Sequence, residues 1–357
     1  MKHFLDQEKI VTQLDPGHVY DSITQFDAQL NSSWQEVEMQ TIKTSPKNIK
    51  KICIAGMGGS ALAARILKSL TPLICHLPFE IVNNYRLPNW VDKNTLVILS
   101  SYSGNTEEIV SSAMDALAKK AHIFTIASGG ELSDLAQKND WDLYTINPQH
   151  NPSGQPRLGL GYSLGAHLGY LSRFNLIDTG KIDRENIIQV VVASAKNLKH
   201  QVEFKNNPAK MLAEKAKGKA VIIFSANHIA GAAYAGKNHI NESAKTFADS
   251  FVLPELNHHL LEGLSLPDNF NQNTHFILIN SDLYPDKIKK RLQITQEILD
   301  KQKYPLTVIK PDSDTMMGQA LEVLIFFEYF SFYLAAINHV DPSPIPWVDY
   351  FKKRLKE

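Results

Sequence analysis

Short apolar runs and segments of helical periodicity alternate along the first part of the chain. After helical patterns that extend to about Glu38, runs rich in β-branched and other apolar residues predict strands, and the amphipathic segments between them predict helices. This alternation is typical of an open, mostly parallel sheet with helices on both faces. The predicted strands are, in order, KKICIAG, FEIVNN, TLVILS, HIFTIAS and DLYTIN.

The same plan returns, more loosely, in the second part of the chain. Strands are predicted at KAVIIFSAN, THFILINSD and LTVIKPD, SFVLPEL is predicted as a short extended piece, and helices lie between them. The polar, proline-rich segment NPQHNPSGQPR separates the two parts. We therefore predict an α/β protein with an N-terminal domain over residues 1–150, a connecting segment over 151–179 and a C-terminal domain over 180–357.

The most apolar stretch is LIFFEYFSFYLAAI, from Leu324 to Ile337. It has roughly 14 residues and includes Glu328, which is short of the ~20 apolar residues that a membrane-spanning helix needs. We therefore predict a helix buried in a globular core. The N-terminal stretch MKHFLDQEKIVTQLD lacks the apolar centre of a signal peptide, and we expect a cytoplasmic protein.

Composition narrows the possible partners. Among 357 residues, Lys plus Arg and Asp plus Glu both number 37, so the formal net charge is zero and nucleic acid is not indicated as a partner. An anionic small molecule remains compatible with this balance. The two cysteines, Cys53 and Cys75, predict no disulfide framework, and the histidine spacing matches no metal motif. We expect neither a metal nor a cofactor.

Two loops carry the candidate chemistry, AGMGGSA (Ala55 to Ala61) and SSYSGNTEE, which begins at Ser100. Each follows a predicted strand and begins a helix, where free N–H groups and the helix dipole favour an anion. The first loop matches neither G-x-G-x-x-G nor a Walker A loop. Both loops could also be ordinary helix starts, because Asn105 followed by Glu108 is itself a capping signal. If their strands are neighbours in the sheet, the loops meet where such sheets bind ligands.

GMGGSA followed by SYSGNTEE resembles the sugar isomerase (SIS) domain, whose members bind phosphorylated sugars. Four later segments are similar to the bifunctional phosphoglucose/phosphomannose isomerases: GQPRLGLGYSLG, KNHINESAK, FVLPELNHHLLEG and DPSPIPWVDYFKKRL. Two departures from the family pattern stand out. This chain has GMGGSALAARI where members often have GMGGSAIGGD, and Asn257-His258-His259 where they often have NHN.

The resemblance implies two SIS-type α/β sandwich domains, each a mostly parallel sheet flanked by helices. It also implies an aldose–ketose isomerase that interconverts glucose 6-phosphate, and mannose 6-phosphate, with fructose 6-phosphate through an enediolate. Family members form homodimers with active sites near the subunit interface, so we expect the same here. The alternatives are a sensor that binds a sugar phosphate without reaction, and an isomerase of another sugar phosphate.

The resemblance also assigns roles to residues. Glu242 would be the base, Arg157 would lie near the enediolate, His258 would open the sugar ring and Lys352 would contact substrate oxygens. His259 and Lys353 are one-residue alternatives to the last two. The residues implied for phosphate binding are Gly58, Gly59, Ser60, Ser101, Ser103 and Thr106.

Overall fold

The structure is a computed structural model and describes residues 2–355 and residue 357. All strand pairings within these residues are parallel, as the sequence predicts. The strands are β1 (Lys51–Gly56), β2 (Phe79–Val82), β3 (Thr95–Ser100), β4 (His122–Ala127), β5 (Asp142–Thr145), β6 (Ala220–Ala226), β7 (Ala248–Leu253), β8 (Thr274–Ile279) and β9 (Leu306–Ile309).

Helices connect the strands and also precede and follow them. They are α1 (Lys9–Thr12), α2 (Val19–Ile23), α3 (Phe26–Met39), α4 (Gly59–Ile74), α5 (Glu107–Ala118), α6 (Gly130–Lys138), α7 (Leu160–Arg173), α8 (Arg184–Lys196), α9 (Pro208–Ala216), α10 (Ala230–Glu242), α11 (Phe270–Asn273), α12 (Asp286–Lys301), α13 (Met316–Ile337) and α14 (Pro346–Arg354).

The chain divides into two compact units. One is Gln25–Gln189, and the other combines the residues up to Thr24 with Val190–Glu357. The domain limits predicted from the sequence, 1–150, 151–179 and 180–357, stay a prediction. The segment 151–179, predicted as a connection, contains the buried helix α7.

The first unit is built on a five-stranded sheet with the order β2-β1-β3-β4-β5. Helix α4 packs on β1 and β2, α5 on β3, and α6 on β4 and β5. The strands are nearly all apolar because both faces of a parallel sheet are covered, and β3 is buried throughout. In the register of the sheet, Gly56 at the end of β1 pairs with Ser100 at the end of β3.

Helix α7 packs against α3 through a row of glycines, one on each turn. A Cβ on Gly161 would lie 2.8 Å from the carbonyl oxygen of Phe26, and one on Gly165 would lie 2.4 Å from that of Leu30. Gly169 makes a similar approach to the carbonyl oxygen of Trp34. The absence of side chains lets the two helices come into backbone contact.

The second unit is built on a four-stranded sheet with the order β7-β6-β8-β9. Helix α10 packs on β6 and β7 and also against α13. Helix α13 has 22 residues and is long and apolar enough to cross a membrane by those criteria alone, but 89% of its apolar window is buried within the fold. The prediction of a buried core helix is therefore confirmed. The two predicted mostly parallel sheets, flanked by helices, are likewise confirmed.

Candidate functional site

The glycine loop joins β1 to α4 through Met57 and Gly58. Gly58 has a φ of +49°, in the left-handed region that glycine adopts without strain. A Cβ on Gly59 would lie 2.8 Å from the backbone nitrogen of Arg157, so this approach requires glycine. Gly58 is exposed, and a Cβ on it would meet no described atom within 4 Å, so the backbone at the start of α4 is open there to an anion, which the positive end of the helix dipole favours.

The hydroxyl loop joins β3 to α5 and brings three hydroxyl groups together. The Oγ of Ser101 lies 2.8 Å from the Oγ1 of Thr106 and accepts the N–H of Gly104 at 3.2 Å. Ser101 is buried, Thr106 is half-buried at the N-cap of α5, and Ser103 is exposed. The buried hydroxyl therefore fixes the loop, while the outer two can donate to a ligand.

The two loops are joined directly. The backbone N–H of Tyr102 donates to the Oγ of Ser60 at 2.9 Å. This bond is possible because β1 and β3 are neighbours in the sheet, so their loops leave the same edge side by side. The structure thus brings together the four hydroxyl residues that the sequence singled out, namely Ser60, Ser101, Ser103 and Thr106.

Arg157 lies beside the glycine loop in the short helical turn Pro156–Leu158. The residue is 1% exposed, and its guanidinium donates to the Oε1 of Gln155 at 3.0 Å. Burial of a guanidinium requires such acceptors, because an uncompensated charge is costly in a low dielectric. The loop arginine is therefore built into the fold and is not a solvated surface residue.

Sequence reasoning missed two residues that support the hydroxyl loop. The hydroxyl of Tyr102 accepts the Nδ2 of Asn151 at 2.9 Å. Burial is the main cause that raises the pKa of Tyr102, so the phenol stays protonated. The ring packs so closely on Gly159 that a Cβ there would lie 2.4 Å from its Cε2. The signal available in the sequence was a tyrosine within the hydroxyl loop.

Asn105 does not cap α5. The N-cap residue is Thr106, and the Oδ1 of Asn105 instead accepts the backbone N–H of Glu131 at 3.1 Å. The capping interpretation of Asn105 and Glu108 is therefore wrong, because the side chain ties the hydroxyl loop to α6. Gly104 makes the same junction tight, since a Cβ on it would overlap the carbonyl oxygen of Gly129.

A third loop, after β2, was also missed. The Nδ2 of Asn83 donates to the carbonyl oxygen of Gly56 at 2.5 Å, and its Oδ1 accepts from Arg65 at 2.7 Å. Arg65 is the last of four consecutive residues, from Leu62 to Arg65, at which this chain departs from the family's GMGGSAIGGD pattern. Further along, the hydroxyl of Tyr85 donates to Glu107, and this bond raises the pKa of Tyr85 to about 12. Hydrogen bonds thus fix this loop to the end of β1, to α4 and to the first residue of α5.

The other predicted catalytic residues lie in the second unit. Glu242 is the last residue of α10 and is half-buried. Lys245 donates from its Nζ to the carbonyl oxygen of Glu242 at 2.6 Å and to that of Pro342 at 3.2 Å. A lysine at these carbonyls is favourable because the C-terminal end of a helix carries partial negative charge. The end of α10 is thereby tied to the chain that leads into α14.

His258 and His259 are both exposed and follow β7 at the turn Glu255–His258. The preceding residue is fixed, since the Nδ2 of Asn257 donates to the Oγ1 of Thr295 at 2.8 Å. The ring of His259 lies 6.4 Å from that of Phe251. His258 has the register that the family resemblance implies, and its role stays a prediction.

Lys352 and its alternative Lys353 lie on the exposed helix α14. Their roles, like that of Glu242, stay predictions. Within residues 2–355 and 357, no three His, Cys, Asp or Glu side chains form a group that could hold a metal ion. The donors that the described site offers are hydroxyls, backbone N–H groups and cationic side chains, which suit an anion.

Family models match both units of the chain. Residues 47–161 match the SIS domain, and residues 205–355 match the family described as the bacterial phospho-glucose isomerase C-terminal SIS domain. Among solved structures, the C-terminal domain of glucosamine-fructose-6-phosphate aminotransferase from Francisella tularensis is similar with a TM-score of 0.70 and 14% identity, over 92% of this chain and 98% of that one. That likeness concerns the fold alone.

Similarity to two curated proteins extends over nearly the whole chain. The bifunctional phosphoglucose/phosphomannose isomerase of Caldicellulosiruptor bescii is 30% identical over 95% of this chain and 99% of its own length. The protein of the same name from Aquifex aeolicus is 28% identical over 91% of this chain and 96% of its own. With both SIS domains and this full-length similarity, the chain belongs to the bifunctional phosphoglucose/phosphomannose isomerase family.

Proposed function

We propose that the protein interconverts glucose 6-phosphate, and mannose 6-phosphate, with fructose 6-phosphate. The observation that carries this proposal is the pair of joined loops, in which Tyr102 N–H donates to Ser60 Oγ at the carboxyl edge of the first sheet. The loops supply the donors that a sugar phosphate needs. The full-length similarity to two bifunctional isomerases supports the reaction.

The phosphate would be bound by the glycine and hydroxyl loops. The hydroxyls of Ser103 and Thr106 are accessible, and the starts of α4 and α5 add the positive ends of two helix dipoles. Ser60 and Ser101 already have loop partners and would hold the donors in place. The proposed phosphate residues are Gly58, Gly59, Ser60, Ser101, Ser103 and Thr106.

The reaction moves a proton between C1 and C2 of the open-chain sugar. A single carboxylate can serve both carbons because they are adjacent, and we assign this role to Glu242. The enediolate that forms between the two proton transfers is negative, so Arg157 and Lys352 would stabilise it. His258 would open the ring by proton transfer. The scheme requires no cofactor, and these residues act by protonation and charge alone.

The contrasting possibility is a sensor that binds a sugar phosphate without converting it. A sensor would need the phosphate loops but not a base. Incubating the purified protein with glucose 6-phosphate in deuterated water separates the two, because removal of the C2 proton lets solvent deuterium enter that carbon. We expect exchange and formation of fructose 6-phosphate, with or without EDTA. Binding without exchange of any hexose phosphate would favour the sensor.

The proposed assembly is a cytoplasmic homodimer with active sites near its interface. Helix α14 supports association, since it has nine residues, none of them buried. Trp347 is 82% exposed, Tyr350 60% and Phe351 61%. An isolated helix shorter than about 12 residues is marginal in water, so α14 needs a surface to cover it, and exposed apolar side chains in contact mark interaction sites. We assign that surface to a second copy of the chain.

Replacing Trp347 and Phe351 by serine should shift the protein from dimer to monomer and lower its activity. Each side chain loses roughly 2 kcal/mol of apolar burial at the interface. Sedimentation velocity over a range of concentrations measures the shift. Met39→Ser is the matched control, because Met39 is 71% exposed but lies outside α14. A parent protein that sediments as a monomer would refute the assignment.

A further inference from the structure

The core helix α13 carries a buried carboxyl group. Glu328 is 1% exposed and lies amid apolar residues such as Phe327 and Phe330. Burial raises the pKa of Glu328 well above its usual range. Placing a carboxyl group in such surroundings is unfavourable unless another polar group compensates for it. The residue therefore needs an explanation beyond packing.

The polar group that faces Glu328 comes from α10, at a distance suited to an ion pair and too long for a hydrogen bond. The Nε2 of His239 lies 3.8 Å from the Oε1 of Glu328, and His239 is fully buried. One turn earlier, Gly236 faces the ring of Phe327, where a Cβ would lie 2.5 Å from the ring carbons. Two consecutive turns of α10 therefore contact α13. In the first turn Gly236 packs against the ring of Phe327, and in the next His239 lies near Glu328.

The nearer of these contacts, that of His239, lies one helical turn before Glu242 on α10. His239 precedes Glu242 by three residues, which places both on one side of the helix. The side chain of a helical residue covers the turn that precedes its own Cα, so the Glu242 side chain extends over the turn of His239. The carbonyl of His239 also accepts the N–H of Ser243 at 2.8 Å, which closes the last turn of the helix.

We propose that Glu328 and His239 are positioning residues that set the rotation of α10 and hence the direction of the Glu242 carboxylate. This inference rests on the proposed role of Glu242 as the base. Apolar packing alone tolerates small rotations of one helix on another, whereas a polar pair in an apolar surrounding has one favourable arrangement. A shift of about 1 Å at a reacting group can cost about 100-fold in rate.

The test removes both polar groups together. In the double variant His239→Leu/Glu328→Leu no charge is left without its partner, and replacement of a buried polar pair by apolar residues is often neutral or stabilising. We expect a melting temperature at or above that of the parent. We also expect kcat and the C2-hydrogen exchange rate to fall roughly 10- to 100-fold with KM unchanged. If the pair only stabilised the fold, its replacement would change the melting temperature and leave kcat at the parental value.

A second variant and a control complete the design. Glu328→Gln keeps the shape and a polar contact to the imidazole, and should recover most of the kcat that the double variant loses. Ser331→Ala is the control. It removes a different buried polar group of α13, a hydroxyl that donates to the backbone carbonyl of Glu328 at 2.9 Å, and it should leave kcat at the parental value.

Parental kcat in the double variant would overturn the inference, and so would a fall in kcat accompanied by a matching rise in KM. The parent and Glu242→Gln distinguish this failure from failure of the proposed function. If the parent exchanges no hexose phosphate, the proposed function falls. If Glu242→Gln leaves the exchange intact, Glu242 is not the base, and the positioning role falls with that assignment while the isomerase function stands. If Glu242→Gln stops the exchange while the double variant stays fully active, only the positioning role falls.

Discussion

The two sheets differ at the same topological position, which is the edge where two neighbouring parallel strands end. In each sheet two interior strands, β1 and β3 or β6 and β8, are neighbours that end at one edge. In the first sheet that edge carries two loops with accessible glycines and hydroxyls. In the second sheet His228, Ser281 and Gln319 lie there, and all three are buried.

The second edge is sealed by its own hydrogen bonds. The Oε1 of Gln319 accepts from Ser281 Oγ at 2.5 Å and lies 3.0 Å from His228 Nε2. Burial is the main cause that lowers the pKa of His228, which keeps the imidazole neutral. The carboxyl edge of a parallel sheet is therefore a position where a site can form. Whether one forms depends on whether the polar groups at that edge are accessible to a ligand, and those named at the second edge are buried.

The largest effect we predict lies in the unit whose edge is sealed. Glu242→Gln should lower kcat by about 10²–10⁴-fold, since an amide cannot take a proton from carbon. Binding of the sugar phosphate should remain, because the donors that we propose for the phosphate belong to the other unit. A coupled assay and C2-hydrogen exchange measure the loss. Glu262→Gln, at an exposed carboxylate of the same unit, is the control and should be fully active.

The next effect concerns the accessible edge. Ser103→Ala and Thr106→Ala should each raise KM for the sugar phosphate by roughly 10- to 100-fold, because a hydrogen bond to a charged group contributes about 1.5–3 kcal/mol. Steady-state kinetics give KM, and circular dichroism checks that the fold persists. An unchanged KM in both variants would remove the phosphate role of this loop.

The same chemical change at the sealed edge should have the converse outcome. Ser281→Ala removes a hydroxyl that donates to Gln319 and accepts the N–H of Leu283 at 2.9 Å. We expect a loss of about 1–2 kcal/mol of unfolding free energy and no change in KM. If Ser281→Ala raised KM as much as Ser103→Ala does, the two edges would not differ in the way described.

The last prediction concerns stability and not activity, and it is an acid sensitivity of the first unit. Burial lowers the pKa of His167 to about 4, and its Nδ1–H donates to the carbonyl of Ser163 at 2.6 Å. Between pH 4 and 6.5 the unfolded chain binds the extra proton, so stability is full above pH 6.5 and falls as the pH drops. At pH 5 this difference in proton binding lowers the free energy of unfolding by about 2 kcal/mol relative to neutral pH.

Urea unfolding at pH 7 and pH 5 measures this sensitivity. In His167→Asn, whose amide can still donate to the Ser163 carbonyl, the stability difference between the two pH values should shrink by about 2 kcal/mol. His76→Asn is the control at an exposed histidine of the same unit and should keep the parental difference. An identical difference in parent and His167→Asn would show that His167 is not the group that titrates.

The strands, and the loops that follow β1 and β3 and begin helices, could be predicted from the sequence, because both depend on local pattern. An apolar run such as TLVILS indicates a strand that is covered on both faces. A loop rich in glycine or in hydroxyl residues follows it and indicates the start of a helix. Helix α7 could not be predicted in this way. Its glycines at 161, 165 and 169 suggest turns, whereas they serve the close approach to α3.

The supporting residues of the candidate site also escaped prediction. Asn151 and Tyr102 are 49 residues apart and meet only in the fold, and Asn105 binds α6 although its spacing to Glu108 suggests a cap. Local spacing cannot reveal a hydrogen bond whose partner comes from another segment. The roles of Glu242, His258 and Lys352 came from family resemblance alone, since the surrounding pattern is that of ordinary helix and loop residues.

The hydrogen bond from Tyr102 N–H to Ser60 Oγ has a consequence for engineering. It makes the glycine loop and the hydroxyl loop one mechanical part, although 42 residues separate them in sequence. Transplanting SSYSGNTEE alone into another parallel sheet would leave Tyr102 N–H without its acceptor, and the loop would lose its shape. A transferable form of the proposed phosphate site must therefore carry both β–loop–α segments, Gly59, which lets Arg157 approach, and the strand pairing that sets the spacing of the two loops.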